Sequence, residues 1–313
     1  MNILLVDADS KKGFPNLALM KISAFLKEQN GDLDLNIDLI KGIPDTAPLY
    51  AYDKTYVSVI FFQNKERVQQ YIDQFPEGHL EVGGSGWDLQ NKLPESIEHI
   101  MPDYDLYDID YSMGYTSRGC IRNCGFCIVP EKEGPIHDHA PLEEFVNANH
   151  DKVMLLDNNF QASPNWGENL DYLIKHYYKV NFNQGLDIRL LTNKFAQKLA
   201  QVNYQNWKFT RKSLNFAFDD LRYERRLRDG FKLLEHYGVR MRDLSIYLLT
   251  GYNTTKEEDI KRFEILKEYG VNPYIMRYNQ NGSVWDNHFA RYVNRRYYQF
   301  IEWDKYEKGV LNQ

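Results

Sequence analysis

At 313 residues and 37.1 kDa, the chain is long enough for one large domain or two small ones. Its 43% apolar content supports a real core, no apolar run reaches the length needed to cross a bilayer, and a formal net charge of −6 disfavours broad nucleic-acid binding. The three cysteines are clustered, which argues against a disulfide scaffold and for a reducing compartment, the cytoplasm.

The chain opens on a short apolar run at residues 2–7 with no basic region ahead of it, so it reads as a strand and not as a signal peptide. Leu19, Ile22, Ala24, Phe25 and Leu26 recur at helical spacing over residues 17–26, and Gly31 stops that helix. Residues 36–40 and 56–62 predict two further strands, 65–75 a helix, and 79–82 a strand running into Gly83 and Gly84. Strands alternating with helices predict a parallel sheet covered on its faces, with ligands beyond the strand ends. Residues 91–110 hold two prolines and little periodicity, and read as a connection.

Residues 115–130, YTSRGCIRNCGFCIVP, contain Cys120, Cys124 and Cys127. Thiolates at this spacing can converge on one centre, and three sulfur ligands leave one iron of a [4Fe–4S] cubane open. A zinc site completed by His137 or His139, or three unrelated buried thiols, are the alternatives. A polar loop at 131–139 and a short helix at 142–148 follow. Strand and helix signals then alternate: strands at 152–156, 179–182, 214–218, 244–249 and 273–276, and helices at 166–178, 193–202, 223–237 and 256–269. Thr192 caps one of these helices, Thr255 with Glu258 forms a capping box for another, and Gly238 and Gly270 stand beyond two ends. An amphipathic helix over 285–307 closes the pattern.

Polar residues follow nearly every strand, and in a parallel β/α barrel such positions share one rim. They are Asp157, Asn158 and Asn159; Gln184, Asp187 and Arg189; Asp219, with Arg211 ahead of the same strand; Gly251, Tyr252 and Asn253; and Arg277, Tyr278 and Asn279. A glutamine, a carboxylate and a guanidinium beyond one strand are costly to bury without a function or mutual pairing.

The Cys-x3-Cys-x2-Cys spacing, with Phe126 before the last cysteine and Ser117, Arg118 and Gly119 leading in, resembles the signature of the radical S-adenosylmethionine (SAM) superfamily. That resemblance implies an α/β protein whose second domain, 109–284, is a partial (β/α)6 TIM barrel. It implies that the open iron chelates SAM, whose reductive cleavage yields a 5′-deoxyadenosyl radical that abstracts hydrogen from an unidentified substrate. Asp157, Asn158 and Asn159 would meet the methionine end, Arg189 oriented by Asp187 would clamp the carboxylate, and the turn at Gly251 would lie near the adenine. Phe126, Gln184, Arg211 and Asp219 complete the expected cofactor-binding set. An electron donor such as flavodoxin or ferredoxin, and a small-molecule, nucleotide or peptide substrate, are the implied partners; neither membrane nor nucleic acid is expected.

Residues 1–108 resemble the cobalamin-binding Rossmann domain that precedes many such cores, in Gly13 to Leu17, in Gly83 and Gly84, and in Pro102, Asp103 and Tyr104. Ser58 matches a serine that faces the corrin in some relatives, but residues 7–13 lack the cobalt-ligating histidine. Residues 285–313 make a C-terminal helical extension. No cysteines remain for an auxiliary cluster, which removes the methylthiotransferases. The expected activity is therefore an oxidoreductase or transferase of the radical SAM type. A cobalamin-dependent methyltransferase and a non-enzymatic iron–sulfur or zinc module are the alternatives.

Overall fold

A computed structural model of the chain describes residues 1–10, 13–31, 34–48, 51–278 and 282–311. The fold is mixed α/β, with several parallel sheets. The chain divides into two units: residues 1–114 with 131–134 and 139–150, and residues 115–130 with 135–138 and 151–313.

The first unit is built on β1 (Asn2–Asp7), buried from its second residue onward. After α1 (Leu17–Asn30) the chain adds β2 (Asn36–Lys41), then crosses to β3 (Lys54–Ser58), α2 (Lys65–Ile72) and β4 (Leu80–Gly83). The sheet order is β2-β1-β3-β4, all parallel, with Leu5 in register with Leu39 on one side and Tyr56 on the other. Both faces of β1 are covered, as a parallel strand requires. Leu4 and Val6 pack with Val57, Val68 and Tyr71, while Ile3 and Leu5 pack with Leu19. The side chain of Asn16 caps α1 by accepting from Leu19 N at 3.2 Å, and Gly31 ends it.

Two stretches depart from expectation. The third strand stops at Ser58 rather than reaching residue 62, because the Asp9 carboxylate takes the N–H groups of Ile60 and Phe61 out of the ladder. Gly84, at φ +100°, packs so closely that a methyl there would stand 2.3 Å from the Val59 carbonyl oxygen, a position only glycine fits. The stretch expected to be a mere connection holds α3 (Glu95–Glu98) and a turn that buries Tyr104 and Tyr107. The Tyr107 hydroxyl donates to Asp7 at 2.7 Å, and β5 (Ser112–Gly114) ends the segment.

In the second unit β6 (Ser117–Arg118) enters the cysteine loop, and α4 (Val129–Lys132) begins at its far end. β7 (His137–Asp138) pairs antiparallel with β6. The first unit takes up α5 (Leu142–Phe145). The second then runs β8 (Lys152–Leu155), α6 (Trp166–Lys175), β9 (Lys179–Phe182), α7 (Asn193–Leu199) and β10 (Asn203–Tyr204). It continues through β11 (Leu214–Ala217), α8 (Glu224–His236), β12 (Leu244–Thr250), α9 (Lys256–Glu268), β13 (Asn272–Arg277), α10 (Val284–Asn294) and α11 (Trp303–Leu311). β10, β9 and β8 are parallel neighbours, as are β11, β12 and β13, and a parallel bridge between Leu186 and Phe216 links the two sets.

Local signals hold where they are read from caps. Thr192 accepts from Phe195 N, and Thr255 with Glu258 closes a full capping box. The C-terminal helix is broken instead of continuous: Arg296 adopts a left-handed conformation at φ +60°, and the Tyr292 hydroxyl reaches the Ile301 carbonyl at 2.8 Å across the break. Arg262 of α9 is fully buried; its guanidinium donates to the Phe218 and Leu249 carbonyls at the ends of β11 and β12 and pairs with Asp259. Among the described residues no helix is long and apolar enough to cross a membrane.

Candidate ligand-binding site

The carboxyl end of β8 holds the cysteine loop. Asp157 is buried and accepts four hydrogen bonds, from the backbone N–H and hydroxyl of both Thr116 and Ser117, at 2.6 to 3.2 Å. Burial pushes its carboxyl above the usual range, and those bonds oppose the push. Asn158 accepts from Gly119 N at 2.9 Å, and Asn159 Nδ2 donates to Cys120 Sγ at 3.4 Å. Gly119 turns there at φ +80°, which favours glycine. The Oδ1 atom of Asn159 is buried and meets no donor among the described residues.

The three thiols lie along this loop but do not form a metal-binding group. Among the described residues, no set of three or more His, Cys, Asp or Glu side chains converges so as to hold a metal ion. Cys120 Sγ accepts from Arg122 N and Asn159 Nδ2, and Cys127 Sγ from Val129 N. Burial pushes the Cys124 thiol up, aided by Cys127, Cys120 and Asp219 and opposed by Arg189. The His137 ring meets the Pro135 carbonyl and the His139 ring meets Glu98, so neither completes a zinc site.

This corrects the expectations that rest on the cluster. The radical SAM resemblance carries no [4Fe–4S] cluster into the structure. SAM chelation and cleavage, hydrogen abstraction by an oxidoreductase or transferase, and the cobalamin-dependent methyltransferase all need that cluster. The iron–sulfur or zinc module falls for the same reason. Ser58, expected to face a corrin, is the buried last residue of β3 and receives Asn16 Nδ2 at 2.8 Å.

What the loop does meet is charge. Asp187, after β9, accepts from Arg189 Nε at 2.7 Å, Arg189 Nη2 at 2.9 Å and Arg122 Nε at 3.1 Å. Burial alone would raise this carboxyl; the two guanidinium groups bring it below its ordinary value. Arg189 also lies over the Tyr223 ring at 4.9 Å. Asp219, after β11, accepts from Leu249 N at 2.9 Å and is pushed up by burial.

The other side of the loop meets aromatic rings. A methyl at Gly125 would stand 2.4 Å from the Tyr252 hydroxyl. Phe126 lies 5.4 Å from the Tyr252 ring, edge to face, and Tyr252 lies 4.8 Å from the Tyr278 ring. The turn after β12 places Gly251 at φ +77° and Asn253 at φ +48°.

The structure thus gathers Phe126, Asp157, Asn158, Asn159, Asp187, Arg189 and Tyr252 around the loop of residues 115–130, directly or through one neighbour. Gln184 is exposed on the turn after β9. Arg211 is exposed ahead of β11, at the opposite end of that strand from Asp219, where its backbone closes a turn with Asn206. Asn279 lies outside the described residues. Sequence reasoning missed Arg122 as the partner of Asp187, and Gly125 as the seat of the Tyr252 hydroxyl. Their only signal was their place between the cysteines. No model of a known protein family matches the chain, and no curated protein matches it.

Proposed function

We propose that the second unit binds a small anionic molecule at the carboxyl ends of its parallel strands, which follow one another as an open β/α half-barrel. One observation carries this reading. Arg122, Asp187 and Arg189 sum to a single positive charge, and the side chains of Arg122 and Arg189 keep 31% and 25% of their surface open while that of Asp187 keeps 8%. The carboxylate is consumed in aligning the two cations, and the cations retain faces toward solvent. A guanidinium held in this way offers paired donors to a carboxylate or phosphate. Asn158 and Asp157 support the site by fixing the loop that carries Arg122. Phe126 and Tyr252 add an apolar boundary.

Calorimetric titration of the full chain with pyrophosphate, citrate and nucleoside monophosphates tests the reading. At least one anion should bind, and Arg189→Gln should weaken it by about tenfold or more, the size expected for a lost charge-assisted contact. Equal affinity in the variant sinks the proposal.

A further inference from the structure

The sheet of β11, β12 and β13 shows two different faces. On β12, Leu244, Ile246, Leu248 and Thr250 are buried, while Ser245, Tyr247 and Leu249 between them are half-buried. On β13, Pro273 and Ile275 are buried, whereas Tyr274 and Met276 are 48% and 49% exposed, and Tyr278 just beyond is 51% exposed. The register sets Tyr247 beside Tyr274, with ring centroids 5.7 Å apart, and Leu249 beside Met276. Ala217, opposite Tyr247 on β11, is small and exposed. A solvated sheet face is ordinarily polar, and a contiguous apolar one marks a binding surface.

Two features select the occupant. The first is the edge of the sheet. β13 is the last strand of its set, but the side-chain amide of Asn294 accepts from Ile275 N at 2.8 Å and donates to Ile275 O at 3.0 Å. That amide stands where a neighbouring strand would pair, so a peptide cannot extend the ladder there. The face itself presents rings, which take a flat group laid on them. The second feature is charge. Tyr278 touches Tyr252, Tyr252 touches Phe126 and the Gly125 backbone, and the same loop carries Arg122 on Asp187 and Arg189. The row of rings therefore leads to the net-positive pair. From Tyr274 to Tyr278 the chain rises roughly 13 Å, enough for more than one ring of a ligand to lie along it.

The geometry points to a planar aromatic anion as the ligand: its ring lies on Tyr247, Tyr274, Met276 and Tyr278, and its acidic group turns toward Arg122 and Arg189. This rests on the anion-binding reading above and names the class of molecule bound. Flavin mononucleotide serves as a probe because it joins a three-ring system to a phosphate and loses fluorescence on stacking. Riboflavin carries the ring alone, and inorganic phosphate the anion alone.

With the full chain, flavin mononucleotide should bind at least tenfold more tightly than riboflavin or phosphate. Tyr274→Ser combined with Met276→Ser should weaken both flavins at least tenfold and leave phosphate affinity unchanged. Tyr274→Phe, which keeps the ring, should bind as the native chain does. Both positions are exposed, and an unchanged thermal melt of the variants verifies that they fold. Failure of flavin mononucleotide to bind overturns the inference. Binding that is indifferent to Tyr274 and Met276 but lost in Arg189→Gln removes the aromatic face and leaves the anion site standing. Binding indifferent to Arg189 as well removes both.

Discussion

Asp187 faces positive charge: two guanidinium N–H donors come from Arg189 and one from Arg122, and the Arg189 backbone N–H adds a fourth bond. Its carboxyl is held below the ordinary range in the folded chain, so ionisation and folding reinforce each other. The sign follows from that direction. The contribution is complete above the unfolded value of about 3.9 and is lost as pH falls through the lower folded value. The guanidinium partners stay protonated throughout and add no slope of their own. Urea denaturation of the native chain and of Asp187→Asn, compared at pH 6 and pH 3, should show the native advantage shrinking with acid. An advantage that grows on acidification would place the Asp187 carboxyl above its ordinary value instead.

At the scale of elements, the ends of β11 and β12 are tied to α9 through one side chain. Arg262 is 0% exposed, and its donors reach two strand-end carbonyls and Asp259. Removing it leaves two carbonyls unpaired and an acid buried alone, one whose carboxyl burial already pushes up. Arg262→Ala should cost about 3–5 kcal/mol. Adding Asp259→Ala should recover part of that loss, because the stranded charge goes with it. Additive losses in the double variant, read from urea midpoints, would mean that the ion pair contributes nothing beyond the carbonyl contacts. The same tie positions Asp219, which lies between Phe218 and the Leu249 N–H it accepts.

Viewed as a whole molecule, the chain carries −6 while the Arg122–Asp187–Arg189 trio carries +1. At low ionic strength the screening length reaches about 30 Å, so the total charge acts on an approaching anion and repels it until it is close. Raising ionic strength from 10 to 150 mM should therefore quicken association of flavin mononucleotide, by about twofold, since screening removes the long-range repulsion first. Stopped-flow fluorescence reads this rate, and a marked slowing with salt would show that the local pair steers the encounter.

Much of the fold was legible in the chain because its causes are local. The run from Asn2 to Asp7, the helix stop at Gly31, the caps at Thr192 and Thr255, and the alternation that yields parallel sheets depend on near neighbours and on periodicity. Boundaries failed where a distant group intervened, as when Asp9 ended β3 and the Tyr292 hydroxyl met Ile301 across the broken C-terminal helix. The site failed in the same way. Spacing brings Cys120, Cys124 and Cys127 near one another in sequence, but whether donors converge depends on which way each thiol turns, and the sulfur atoms of Cys120 and Cys127 turn to nearby N–H groups. The pairing of Arg122 with Asp187 spans 65 residues and has no local signature. Side-chain type and period are properties of the sequence by itself; convergence of groups from separate strands exists only once the sheets have assembled.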